Sequence, residues 1–317
     1  MMHLPPDFIQ NQREVFGLDG EDFVRTLPEK LAAAAERWGL TVLPPFTLSF
    51  NYVAPARRAD GSPAVLKAGV NTNRELLNEL AALRAWDGAG MVRLLDSDPQ
   101  GGLLLLERAL PGHELADLLL PATHKPGLPS AGPARDEEAT RIAASLMQRL
   151  ARPLPLDHSF PTNADWAAGL SRLRLAFTGG TGPFPPELVA RAEGLFADLL
   201  ASQGQPVLLH GDLHHWNILS AEREPWLAID PKGLAGEREY EVGALLRNPM
   251  PMVGDWPDLR RLLDRRLAVL SEMLGYDRQR MAGWACAQAV LASWWTYEDS
   301  NPPQPDWPCL AVAQALQ

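Results

Sequence analysis

The chain has 317 residues, 46% of them hydrophobic, enough to bury a sizeable core and to build two lobes. A net charge of −10 argues against a nucleic-acid partner, which is gripped by Lys and Arg on phosphates, and suits a cationic small molecule. Two cysteines, Cys286 and Cys309, cannot make a disulfide framework and suggest a reducing cytoplasm; no run nears the roughly 18 apolar residues of a membrane helix.

The start, Met1-Met2-His3-Leu4-Pro5-Pro6-Asp7, has no basic or apolar leader region, so no signal peptide is expected. Residues 7 to 38 read as helical, with Pro28 and Glu29 suited to a first turn, Leu31, Ala34, Ala35 and Trp38 as the apolar stripe, and Gly39 as the stop. Residues 47 to 53 read as a strand and 64 to 70 as its return across an Asp60-Gly61 turn. Asn73 to Trp86 has the period of a helix, with Leu76, Leu77, Leu80 and Leu83 facing inward. Two more strands, 91 to 95 and 102 to 107, flank Asp98-Pro99-Gln100-Gly101.

Residues 121 to 135 are rich in Pro, Gly, Ser and Ala and read as a long surface loop or a partly disordered segment. Helices are then expected from Asp136 to about Arg152, over 163 to 177 behind a Thr162/Asp165 capping box, and from Pro185-Pro186 to Gly204. Pro206 to His210 reads as a short buried strand, and Trp226 to Asp230 as its hairpin partner. Helices near 257 to 274 and 277 to 298 follow, the second with Trp284, Ala287, Leu291 and Trp294 or Trp295 on one face.

The most informative stretch is His210-Gly211-Asp212-Leu213-His214-His215-Trp216-Asn217. Phosphoryl transfer to an alcohol needs a carboxylate that positions the hydroxyl, and oxygen ligands for magnesium. Asp212, Asn217 and Asp230 supply those groups; singly, each also reads as a turn residue. Lys67 lies in an apolar strand, where a charge needs a partner, and Glu79 or Glu75 on the next helix can provide one. A second reading takes His210, Asp212, His214 and His215 as a transition-metal cluster of a hydrolase.

Taken in order, these residues carry a resemblance. Ala64-Val65-Leu66-Lys67, Glu79, Leu103 to Arg108, His210-Gly211-Asp212 with Asn217, and Ile229-Asp230-Pro231 resemble the aminoglycoside phosphotransferases, which share the protein-kinase-like fold. Asn51 to Ala56, Ala82 to Gly88, Val92 to Asp96, Leu208 to Leu219 and Ala228 to Gly233 look most like the streptomycin 6-phosphotransferase, or aminoglycoside/hydroxyurea resistance kinase, branch. The resemblance implies an α+β, two-lobed fold, with a small antiparallel-sheet nucleotide-binding lobe in residues 1–108 and a larger, mainly helical catalytic lobe in 109–317. It implies ATP between the lobes, Asp212 as catalytic base, Asn217 and Asp230 as Mg2+ ligands, Lys67 on the phosphates paired with Glu79, and the backbone of Glu107 to Ala109 on the adenine. No G-x-G-x-x-G pattern stands near Ser49-Phe50-Asn51, and Pro231-Lys232 replaces the Phe-Gly of protein kinases. Glu237, Glu241, Asp255, Glu298 and Asp299 are candidate contacts for a cationic acceptor such as streptomycin, with hydroxyurea or another metabolite alcohol as the alternative. No membrane partner is expected, and no oligomeric state is assigned.

Overall fold

The computed structural model describes residues 4–119, 132–300 and 302–317, so most of the segment expected as a loop over 121–135 lies outside the described residues. The chain divides into two compact units, Met1–Gly112 and His113–Gln317.

The first unit opens on α1 (Pro6–Trp38). Gly17, at φ 56° and ψ −127°, breaks it into two helical pieces, and Pro28 lies well inside the second rather than in a first turn. Its ring costs one helical hydrogen bond on an exposed face, while Phe23, Leu27, Leu31 and Ala34 stay buried on the other. Gly39 ends the helix in the left-handed region, as expected.

Five strands follow around one helix: β1 (Leu40–Val42), β2 (Tyr52–Arg58), β3 (Pro63–Ala68), α2 (Arg74–Trp86), β4 (Leu94–Asp98) and β5 (Leu103–Glu107). They form one antiparallel sheet in the order β1-β2-β3-β5-β4. The strand expected over 47–53 starts only at Tyr52; Asn11 and Gln12 of α1 hydrogen-bond the Ser49 and Phe50 carbonyls instead. β4 likewise starts at Leu94. The Asp60-Gly61 turn is present, with Gly61 at φ 83° and its N–H on Arg58 O. Leu66 and Ala68 pack on the α1 side with Phe8, Phe23 and Leu27. Lys67, between them, therefore faces the opposite side of the sheet. Leu76, Leu80, Leu83 and Trp86 of α2 are buried, whereas Leu77, expected inward, is 40% exposed.

β6 (Pro111–Glu114) spans the boundary, and the second unit holds α3 (Pro133–Leu150), β7 (Arg152–Pro153), α4 (Asn163–Ala176), α5 (Pro186–Ala201), β8 (Val207–Leu209), β9 (Ile218–Ala221), β10 (Trp226–Ala228), β11 (Leu234–Gly236), α6 (Val242–Leu246), α7 (Leu259–Leu274), α8 (Arg278–Asp299) and α9 (Trp307–Ala315). The α4 capping box is formed: Thr162 Oγ1 accepts the Asp165 N–H, and Asp165 Oδ2 accepts the Thr162 N–H. Helix α8 runs through the core with Met281, Trp284, Ala287, Leu291 and Trp294 buried. Both cysteines are free and buried. Among the described residues no helix is long and apolar enough to cross a membrane.

The expected hairpin is re-paired. β8 lies between β7 and β11, while β10 pairs with β9 in the register Ile218↔Ala228. The nearer apolar run, Ile218 to Ala221, takes β10 across a four-residue connection, which closes at lower entropic cost than a return to 207–209.

A fully buried ion pair ties α3 to α7. Arg266 Nε and Nη2 lie 2.9 and 2.7 Å from Asp136 Oδ1, and Nη1 donates to the Leu245 and Asn248 carbonyls. Removing one partner strands a buried charge, so Asp136→Ala should lower the unfolding free energy by about 3–5 kcal/mol in urea denaturation. A loss within experimental error would show that the pair contributes nothing to stability.

Candidate active site

On the first unit, β3 presents Lys67 toward Glu79 of α2. Lys67 Nζ lies 2.7 Å from Glu79 Oε2, and both side chains are only 6% exposed. Glu75 is exposed at the start of the helix, so of the two acids it is Glu79 that the helix turns inward. Glu107, at the end of β5, uses its own Oε2 to accept the Arg93 N–H at 2.9 Å; Ala109 follows just beyond the strand.

On the second unit the chain leaves β8 through Gly211 at φ 84°. A Cβ there would lie 3.0 Å from the Trp166 ring and 3.3 Å from Lys232 Cβ, so both the backbone angle and the space demand glycine. His210 is completely buried. Its Nε2 lies 2.8 Å from Ile229 O, and its Nδ1 accepts the Asp212 N–H at 3.2 Å. That arrangement requires a neutral ring, and burial lowers its pKa to about 4. The His210 carbonyl accepts the N–H groups of Lys232 and Gly233. His210 thus fastens the segment carrying Asp212 to the one carrying Asp230.

Asp212 keeps partial exposure. Its Oδ1 accepts from Arg247 Nη2 at 2.9 Å, and its Oδ2 lies 3.5 Å from His214 Nε2. Burial alone would raise this carboxyl, but His214, Arg247 and Lys232 more than offset that and hold it well below the usual carboxylate range. Asn217 donates through Nδ2 to the Asp212 backbone oxygen at 2.9 Å, and its own carbonyl accepts the Ile229 N–H. The β9–β10 register therefore brings Asn217 and Asp230 to the same end of the hairpin. Asp230 stands at φ 59°, unusual for a residue with a side chain. One amide and one carboxylate suit a hard cation such as Mg2+: an Asn217 that donates through its nitrogen presents its oxygen on the other edge of the amide.

The transition-metal alternative finds no such arrangement. His210 is held by Ile229 O and the Asp212 N–H, His215 is buried, and among the described residues no group of three His, Cys, Asp or Glu side chains is placed to hold a metal.

Three of the acids expected to meet a cationic acceptor have partners within the fold. Glu237 is buried and accepts from Gly204 N, Arg280 Nε and Trp284 Nε1. Glu241 is buried behind the loop and accepts the His210 and Gly211 N–H groups at 2.7 and 3.1 Å. Burial pushes its pKa up to about 7 despite those donors. Both acids are thus engaged inside the fold, Glu237 by main-chain and side-chain donors and Glu241 by main-chain N–H groups. Glu298 forms a two-point pair with Arg172, 2.9 Å at each contact, while Asp299 is exposed at the end of α8. The side chain of Asp255 lies outside the described residues. Arg247 was missed from the sequence: it follows an apolar helix, and nothing in Leu245-Leu246-Arg247-Asn248 marks it.

The matched residues decide the family. A model of the aminoglycoside/hydroxyurea antibiotic resistance kinases matches residues 37–300. The chain belongs to that family. As a member it is a phosphotransferase acting on a hydroxyl, with the protein-kinase-like fold. It is 31% identical to a streptomycin 6-kinase of Streptomyces glaucescens over all of this chain and 98% of that protein. It is 35% identical to a hydroxyurea phosphotransferase of Kitasatospora aureofaciens, again over all of this chain and 86% of that protein. Among solved structures it resembles the aminoglycoside phosphotransferase APH(4)-Ia in a ternary complex with ADP and hygromycin B, with a TM-score of 0.58, 13% identity and coverage of 90% of this chain and 97% of that one.

Two outcomes follow from this geometry. Gly211→Ala forces a side chain into a left-handed, filled position and should destabilise the protein by about 1–3 kcal/mol, read from the denaturation midpoint; an unchanged midpoint would mean the loop relaxes freely. The His210 pKa, lowered from 6.5 to about 4, makes its neutral-ring contribution to stability complete above pH 6.5 and lost as pH falls through 4. His210→Asn should lack that dependence, so the stability gap between variant and parent should narrow from pH 7 to pH 4. A constant gap would count against a buried neutral imidazole.

Proposed function

We propose that this kinase transfers the γ-phosphoryl group of ATP to a hydroxyl of a streptomycin-type aminoglycoside. What supports the reading is that Asn217 donates to the Asp212 main-chain oxygen and accepts the N–H of Ile229, the neighbour of Asp230, with Arg247 2.9 Å from the Asp212 carboxylate. Asp212 orients the acceptor hydroxyl and accepts its proton as the bond to phosphorus forms. Asn217 and Asp230 hold Mg2+, which neutralises charge on the phosphate oxygens when bound. Lys67, steadied by Glu79, pairs the α- and β-phosphates, and the backbone at Glu107 and Ala109 takes the adenine. In this reading residues 1–108 are the nucleotide-binding lobe and 109–317 the catalytic and acceptor-binding lobe, acting on a cationic small molecule in the cytoplasm.

Hydroxyurea is the second reading. It is favoured by the 35% identity to a hydroxyurea phosphotransferase and by the internal pairing of Glu237, Glu241 and Glu298, which leaves fewer acids for a cation. Mass spectrometry of ATP and Mg2+ reactions with streptomycin, other aminoglycosides and hydroxyurea separates the two; a phosphorylated hydroxyurea and unmodified streptomycin would reverse the order. Asp212→Asn should abolish transfer while ATP binding by calorimetry persists, and normal turnover would remove Asp212 from its role. Lys67→Ala should weaken ATP use by about 10²-fold or more in kcat/KM, and an unchanged value would place this lysine outside the site.

A further inference from the structure

Arg247 has no role in the reading above beyond its charge. It caps the C-terminus of α6, its side chain is 13% exposed, and its Nη2 meets Asp212 Oδ1 at 2.9 Å. The guanidinium is held from behind: Nη1 donates to Gln288 Oε1 at 3.3 Å, and the Gln288 amide nitrogen donates to Tyr240 O. Gln288 is only 4% exposed on α8. Space for it exists because residue 243 is glycine, where a Cβ would stand 2.4 Å from the Gln288 amide. A chain of buried polar contacts thus runs from α8 through Gln288 and Arg247 to one oxygen of Asp212. The other oxygen, Oδ2, has His214 Nε2 at 3.5 Å, a weaker hold, so the two carboxylate oxygens are not equivalent.

We propose that Arg247 is a positioning residue for phosphoryl transfer: by fixing Oδ1 it sets the carboxylate plane of Asp212 and leaves Oδ2 to the acceptor hydroxyl. The inference rests on the role given to Asp212 above. A planar guanidinium, anchored at a second nitrogen, restricts both the position and the rotation of a carboxylate in a way that an ammonium cannot. In a reaction dominated by positioning, losing that restriction slows the chemical step and leaves binding of either substrate nearly intact.

The test uses the full-length protein with ATP, Mg2+ and streptomycin, or hydroxyurea where that is the compound phosphorylated. Arg247→Met should lower kcat by about 10²-fold, with KM for ATP and for the acceptor nearly unchanged and the thermal midpoint close to that of the parent. Arg247→Lys should recover only part of the rate, and added guanidinium ion should raise the rate of Arg247→Ala but not of the parent. A kcat for Arg247→Met within twofold of the parent would overturn the inference, using the limit that a lost positioning contact must exceed. So would a rise in acceptor KM at constant kcat, which would make Arg247 an acceptor contact. Should the Met and Ala variants fail to fold, Arg247→Lys, which keeps the charge, must itself show a kcat loss, and parental kcat would overturn the inference. Asp212→Asn, assayed in parallel, separates the two failures: normal transfer there defeats the Asp212 role itself, whereas an inactive Asp212→Asn beside a normal Arg247→Met defeats only the positioning role.

Discussion

The buried, neutral ring of His210 is the constraint on which the candidate site depends. Its Nδ1 must keep a lone pair to accept the Asp212 N–H, and its Nε2 meets the Ile229 carbonyl. Its main chain is equally committed, with the N–H on Glu241 and the carbonyl taking Lys232 and Gly233. The two segments adjoin the paired strands β8 and β11, and His210 extends that contact past the end of the ladder. Asp212 lies on one and Asp230 on the other, and the β9–β10 pairing adds Asn217. Protonating the imidazole would remove the acceptor and place a charge where no water reaches, which is why burial keeps it neutral.

Two carboxylates close in space have opposite fates. Asp212 has Arg247, Lys232 and His214 around it and stays ionised. Glu241, one layer deeper, faces main-chain N–H groups rather than cations, and burial raises its pKa to about 7. The difference separates an acid suited to holding a reacting hydroxyl from an acid suited to holding a loop. Glu237 repeats the structural use, gathering Arg280, Trp284 and the Gly204 amide.

Much of this was legible in the chain because it is local. The Thr162/Asp165 capping box, the Asp60-Gly61 turn and the left-handed stop at Gly39 each depend on residues within a few positions of one another. Lys67 was legible for a different reason: a lysine between Leu66 and Ala68 has to find a charge across the sheet, and α2 follows directly. The strand pairing was not legible. Two short runs, 207–209 and 218–221, can each pair with Trp226 to Ala228; the nearer one takes it, and the other pairs with β11, a strand that Leu234-Ala235-Gly236 does not announce.

The sequence by itself determined the class of chemistry. An acid, an amide five residues on, a second acid before proline and a strand lysine are chemical groups in a fixed order, and order survives without coordinates. Tertiary structure alone decided which acids the fold itself engages. Glu237, Glu241 and Glu298 look like solvent-facing acids along the chain, yet each is claimed by donors that are distant in sequence: Arg280, the His210 and Gly211 amides, and Arg172. Arg247 became visible in the same way, since a guanidinium acquires its meaning only when the loop after β8 and helix α8 bring Asp212 and Gln288 to its two ends. Ionisable side chains are committed by long-range neighbours and by burial, and neither is written in local sequence.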